Sequence, residues 1–195
     1  MPFLGRVVMG WYAIYVKTGK EDDVCLRIEQ LLSEIDYKKQ YRLLVPKRRV
    51  QEKHQGVYIE KDIVLFPGYV LVETEFVTEF YHTTKACKNL YRFLKNGEEF
   101  QEIALEEISE IVYMVDEDGI IGISDIYIED DIVEVTEGPL CNYFGWIKKI
   151  DKHKRRAKVL FMFKGQNHLI DLSVNFIRKP TDDEIKAVFS FYRRE

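Results

Sequence analysis

The stretch FPGYVLVETEF, residues 66–76, constrains the fold more tightly than any other. A Pro-Gly turn opens it, and Phe66, Tyr69, Val70, Leu71 and Val72 then supply more apolar surface than one face of a half-buried strand needs. A core accounts for part of that surface, and a partner docked on the outside would account for the rest. The flanking runs supply the elements such a strand packs with. Trp11 to Val16 is aromatic and β-branched, as strands prefer. Thr18 followed by Glu21 has capping-box spacing, and Val24, Ile28, Leu31, Leu32 and Ile35 recur behind it at helical intervals.

RLLVPKRRV (42–50) reads as a strand, followed by a charged loop at 51–56 and a further strand in VYIEKDIV (57–64). FVTEFYHTTKAC (76–87) predicts a short helix, and LYRFLKNGEEFQEI (90–103) a last strand or hairpin turning at Asn96-Gly97. LEEISEIVYMVDED (105–118) predicts an acidic amphipathic helix. The order β-α-β-β-α-β defines an α+β layer, a split βαβ arrangement with helices on one face of an antiparallel sheet. DGIIGISD (118–125) then breaks the pattern with two glycines. Beyond it, apolar and polar residues alternate between turns at Gly138-Pro139, Gly145 and Lys164-Gly165, as in a small β-barrel. The expected plan is a leader at 1–9, an N-terminal domain at 10–117, a linker at 118–126, a barrel at 127–180 and a tail at 181–195. In that tail Thr181 caps a short helix.

Composition places the chain among globular proteins, with 46% hydrophobic and 32% charged residues in 195. Its formal charge of −4 argues against a polyanionic partner, but it hides a local excess of the opposite sign. KKIDKHKRRAK (148–158) sets Lys148, Lys149, Lys152, Lys154, Arg155, Arg156 and Lys158, with His153, against the single acid Asp151. At the tip of a hairpin these cations, joined by Lys164, would meet RNA phosphates; the alternative is a solvated turn. Tyr143, Phe144 and Trp146 nearby have the flat faces that stack on unpaired bases, although at least two of them suit a core. VPKRRVQEKHQG (45–56) is a second basic segment, in which Lys47, Arg48, Arg49 and Lys53 either contact nucleic acid or form an ordinary charged loop.

No catalytic constellation emerges. The runs Glu106-Glu107 and Glu129-Asp130-Asp131 read as solvated charge, and no Gly-rich phosphate loop or nucleophile elbow is present. His54, His82, His153 and His168 have no ligand spacing with Cys25, Cys87 or Cys141, so neither metal nor cofactor is expected. Three scattered cysteines suit reduced thiols in a cytoplasm. No apolar run reaches the ~20 residues that span a bilayer.

VEVTEGPLCNYFGWIKKID (133–151) resembles a KOW motif. Preceded by WYAIYVKTGKE and FPGYVLVE, it resembles the NusG family of transcription elongation factors over roughly residues 10–180. The resemblance implies an N-terminal (NGN-like) domain that binds the clamp helices of bacterial RNA polymerase through an aromatic-lined depression. Carried over by position, that depression involves Trp11, Phe66, Tyr69 and Leu71, with Trp11 and Leu71 as plain core the alternative. His82, Thr83 and Thr84, at the start of the second helix, are similar to the triplet with which the specialised RfaH members touch the polymerase gate loop, and they would equally cap the helix. Phe163-Lys164-Gly165-Gln166 departs from the family's Phe-Gly-Arg turn, which puts its ribosomal and termination-factor partners in doubt. The basic hairpin is similar instead to the LoaP branch, antiterminators of long operons that recognise a nascent RNA hairpin. A monomeric antiterminator is the expectation; a general elongation factor coupling polymerase to ribosome, or a ribosome-associated KOW protein, are the alternatives.

Overall fold

The computed structural model describes residues 9–129, 132–143 and 146–177. The expected leader, the glycine turn at 145, Phe144, the acids Asp130 and Asp131, and the tail helix fall largely or wholly outside them. The N-terminal elements are β1 (Gly10–Val16), α1 (Glu21–Glu34), β2 (Tyr41–Leu44), β3 (Lys47–His54), β4 (Val57–Val64), β5 (Tyr69–Thr74), α2 (Val77–Thr84), β6 (Leu90–Phe93), β7 (Lys95–Asn96), β8 (Glu99–Phe100), α3 (Leu105–Met114) and β9 (Ile120–Ile121). The C-terminal elements are β10 (Ser124–Glu129), β11 (Ile132–Glu137), β12 (Ile147–Asp151), β13 (Arg156–Phe163) and β14 (Gln166–Phe176).

The first sheet is antiparallel in the order β2-β5-β1-β6. Alternation divides its side chains. Ile14, Val16, Val70 and Val72 point to one face, where Val24, Ile28 and Leu32 of α1 and Phe80 of α2 close a first core. Trp11, Ala13 and Leu71 point to the other face and meet Ile108, Ile111 and Met114 of α3. The excess apolar surface of residues 66–76 is thereby accounted for: β5 is covered on both faces. The helices are not all on one side, because α3 packs opposite α1 and α2.

Three local expectations are corrected. Thr18 does not cap α1: Lys20 occupies the N-cap without a side-chain hydrogen bond. The Glu21 carboxylate is buried and accepts the Gly68 N–H at 2.7 Å, tying the helix start to the Pro-Gly turn where Gly68 has φ +86°. The supposed loop at 51–56 is mostly strand. β3 and β4 pair from Lys47↔Val64 to His54↔Val57, and the chain reverses only at Gln55-Gly56, where φ is 48° and 88°. Charge alone does not break a strand that has a cross-strand partner at each step. Finally, α3 stops at Met114 because Val115 is extended and bridges Ile121. Asp116 Oδ1 then accepts the Asp118 and Ile120 amides at 3.0 and 2.8 Å, a side-chain turn that competes with helix.

The segment expected as a linker is partly ordered into the fold. Ile120–Ile121 pairs in parallel with Lys47–Arg48, and Ser124 already begins β10. The KOW barrel is a five-stranded sheet in the order β11-β10-β14-β13-β12, with β10 and β14 parallel and the other pairs antiparallel. Its Ile126, Val159, Phe161, Phe163, Leu172 and Val174 join the same apolar cluster as Trp11, Phe66 and Leu71, so barrel and layer share one core.

Candidate functional site

The β1–β5 register sets Ala13 opposite Leu71 and Tyr15 opposite Tyr69, which puts the aromatic residues on one face. All four predicted depression residues are brought together there: Trp11, Phe66 and Leu71 are buried in the shared cluster and half-buried Tyr69 packs against it. The barrel covers two of them, Phe66 and Tyr69. Phe163 stacks on Phe66 with centroids 4.2 Å apart and planes 20° apart, and meets Tyr69 edge-on at 5.7 Å. Lys164 Nζ donates to Tyr69 Oη at 3.0 Å and lies 4.6 Å over that ring. Lys164 and Gly165 both have positive φ, 56° and 67°, and their amides donate to the two Glu107 oxygens at 2.8 and 2.9 Å. Lys164 therefore belongs to the interdomain seam, at the opposite end of β13 from the other predicted RNA-binding cations.

Those cations do form a hairpin tip. β12 and β13 pair from Ile147↔Val159 to Asp151↔Arg156. Asp151 Oδ1 accepts the Lys154 N–H at 2.9 Å, closing the turn; that bond, with the nearby Lys154 and His153, holds the Asp151 carboxyl below its usual range. Lys148, Lys149, Lys152, His153 and Lys154 are exposed, while Lys158 pairs with Asp171 at 2.8 Å. Arg155 and Arg156 turn inward. Arg156 Nη2 donates to the Gln51 carbonyl and Nη1 to Ser173 Oγ, both at 2.6 Å. Arg155 donates to Asn175 Oδ1 at 3.0 Å and lies 5.3 Å over the Tyr58 ring.

The second basic segment is mostly structural. Lys47 pairs with Asp22 at 2.8 Å, and Arg48 donates to the Asp171 carbonyl across the seam. Burial pushes the Arg48 and Arg156 guanidiniums below their usual value. Arg49 grips its cross-strand partner Asp62 with two bonds of 2.9 and 3.1 Å, which raises the arginine and lowers the acid. Lys53 stays exposed, 5.9 Å from the Tyr58 ring. His82, Thr83 and Thr84 lie in the last turn of α2 rather than its first, so they do not cap its start. Thr83 and Thr84 bond back to the Glu79 and Phe80 carbonyls at 2.9 and 2.8 Å; Thr84 is buried and His82 exposed.

Sequence reasoning missed Glu107, filed among solvated acids because nothing local marks it as the cradle of a turn 57 residues away. It also missed a cleft of about 630 Å³ in which Lys85, Arg92, Lys95 and Lys164 stand beside Tyr81 and Tyr91. These residues come from a helix end, two strands and the barrel, so no periodicity in the chain collects them. The cysteines are free, and burial pushes the Cys25 thiol up to about 12. Among the described residues no cluster of His, Cys, Asp and Glu could hold a metal ion, and no helix is long and apolar enough to cross a membrane.

A sheet with an aromatic face, packed against a small barrel that also presents a cationic hairpin, is the two-part architecture of this chain. The sequence model for "NusG: Transcription termination factor nusG" matches residues 9–112, and the chain belongs to this family of transcription factors. It is 25% identical over 184 residues to the transcription termination/antitermination protein NusG of Rickettsia typhi, covering 92% of this chain and 94% of that protein. Against the Haemophilus influenzae protein of the same name the identity is 26% over 177 residues, covering 87% and 93%. The fold is similar to a solved structure described as domain interaction in Thermotoga maritima NusG, with TM-score 0.56 and 21% identity over 87% of this chain and 96% of that one.

Proposed function

We propose that this chain is an antitermination factor of the LoaP type, which grips RNA polymerase with its N-terminal domain and is addressed to long operons by a hairpin in the nascent RNA. Its work is steric and makes or breaks no bond. Trp11, Phe66, Tyr69 and Leu71 form the surface for the polymerase clamp helices, and His82 with Thr83 reaches the gate loop. The observation that carries the RNA reading is the hairpin tip: Lys148, Lys149, Lys152 and Lys154 are exposed around a turn whose one carboxylate, Asp151, is occupied by a backbone amide. RNA duplex is held through its backbone shape, and such lysines act as phosphate contacts.

Changing Lys149, Lys152 and Lys154 together to Ser tests this without touching a packed side chain. Binding to stem–loop RNA should weaken for all sequences alike, and the slope of log affinity against log salt should flatten by roughly one unit per lysine. A folded variant with unchanged affinity and slope would leave a general elongation factor that does not read RNA. The gate-loop assignment has its own check. His82→Ala with Thr83→Ala, sparing buried Thr84, should still bind polymerase but lose readthrough on a long template. Undiminished readthrough would reduce the pair to helix surface.

A further inference from the structure

We infer that Tyr58, on the β3–β4 hairpin of the N-terminal domain, is a stacking platform for an unpaired base of the RNA whose phosphates the β12–β13 hairpin holds. One RNA stem–loop is then read by both domains. The inference rests on the RNA reading above and adds to that site its contact with a base.

The two hairpins meet at one end of the molecule. Arg156 Nη2 donates to the Gln51 carbonyl of β3 at 2.6 Å, and the Gln51 N–H donates to Ser173 Oγ of β14 at 3.4 Å. With Arg155 over Tyr58, these bonds bring the reversal of β3–β4 beside the turn of the basic hairpin. There the sheet carries apolar residues that no core uses: Val57, Tyr58 and Ile59 are 66%, 45% and 51% exposed. The register sets Tyr58 opposite Lys53, so phenol and ammonium share a face, while Val57 and Ile59 fall on the other.

Two cations approach the Tyr58 ring, Arg155 at 5.3 Å from its centroid and Lys53 at 5.9 Å. Arg155 is itself fixed by a bond to Asn175 Oδ1 of β14 at 3.0 Å. The ring is thus steadied from the barrel while nearly half of the residue stays open to solvent. An unpaired nucleotide matches a flat ring flanked by cations: the base stacks on the π face and the adjoining phosphates meet positive charge. A ring already held in place loses little freedom when the base arrives. The charge around it is also uncommitted. Glu52 pairs with Lys61 at 2.7 Å, Asp62 with Arg49 at 2.9 Å and Asp171 with Lys158 at 2.8 Å, and Asp151 accepts the Lys154 N–H at 2.9 Å. Lys53, Lys152 and Lys154 stay exposed, which leaves their charge to a phosphate.

The test uses the full chain and a stem–loop RNA selected on it from a random-loop pool, with a blunt duplex of the same stem for comparison. Tyr58→Ala should weaken stem–loop binding by roughly tenfold to 100-fold. The slope of log affinity against log salt should stay as it was, because a phenol neutralises no phosphate. Lys53→Ser should instead flatten that slope by roughly one unit. Tyr58→Trp should retain the affinity and Tyr58→Leu should lose it, since leucine keeps apolar bulk but has no π face. None of the Tyr58 variants should change binding to the duplex, which offers no unpaired base. Stem–loop affinity that survives Tyr58→Ala or Tyr58→Leu overturns the platform and leaves RNA recognition by the basic hairpin standing. Equal loss of stem–loop and duplex binding makes Tyr58 a support of the fold and overturns the platform as well. A pool from which the wild-type chain retains no RNA overturns recognition and platform together.

Discussion

Phe163→Ala should raise the affinity of the chain for RNA polymerase by up to about 100-fold. Phe163 is fully buried, and its ring is the part of the barrel that enters the aromatic face, stacked on Phe66 and edge-on to Tyr69. Truncating a buried Phe to Ala costs about 3–5 kcal/mol where the cavity cannot collapse. Here most of that loss falls on the closed arrangement alone, because an open barrel has already given up Phe66 and Tyr69. A shift of about 3 kcal/mol against closure multiplies the open fraction roughly 100-fold, and apparent affinity follows until the open state dominates. Titration against immobilised polymerase measures it, with circular dichroism to show that the barrel remains folded. An unchanged affinity in a folded variant would mean that the covered face is not the one polymerase uses.

Gly138→Ala should cost about 4 kcal/mol of stability, the largest loss expected from adding one methyl group to this chain. Gly138 sits at φ +96°, and a Cβ there would lie 2.7 Å from both the Ile123 carbonyl oxygen and the Ser124 Cα. Those are backbone atoms at the start of β10, and Ser124 Oγ is also needed, accepting the Leu140 N–H at 3.1 Å. Backbone strain of about 1–3 kcal/mol adds to overpacking of about 1–3 kcal/mol. Gly165→Ala is the control: its φ is +67° and nothing lies within 4 Å, so it should lose only about 1–2 kcal/mol. Urea unfolding of the two variants side by side separates them, and equal losses would show that the close approach at Gly138 relaxes freely.

The elements most legible in the sequence were those whose pattern repeats locally. β1, β5 and α1 follow from period and residue type, and alternation in FPGYVLVETEF already placed more apolar surface than one face requires. The four residues predicted to line the depression lie near one another because β1 and β5 are adjacent and Phe66 sits at the turn that enters β5. What covers them was not legible, since Phe66 and Phe163 are partners 97 residues apart and complementarity between two surfaces leaves no periodic trace. The departure at Phe163-Lys164-Gly165-Gln166 was visible as a change of turn, yet its use depends on Glu107 arriving from α3. Side-chain direction was the other gap. Arg155 and Lys154 are neighbours in one basic run, but positive φ at Arg155, 53°, turns the chain so that one faces inward and the other water.

The parallel pairing of Ile120–Ile121 with Lys47–Arg48 has a consequence for timing. It anchors the connection almost to the point where β10 begins, so a released barrel remains on a short leash. A tether of that kind keeps its two ends at an effective concentration in the millimolar range. If the aromatic face is the surface that polymerase grips, as proposed, then on release it meets its own barrel again long before it meets another enzyme at cellular dilution.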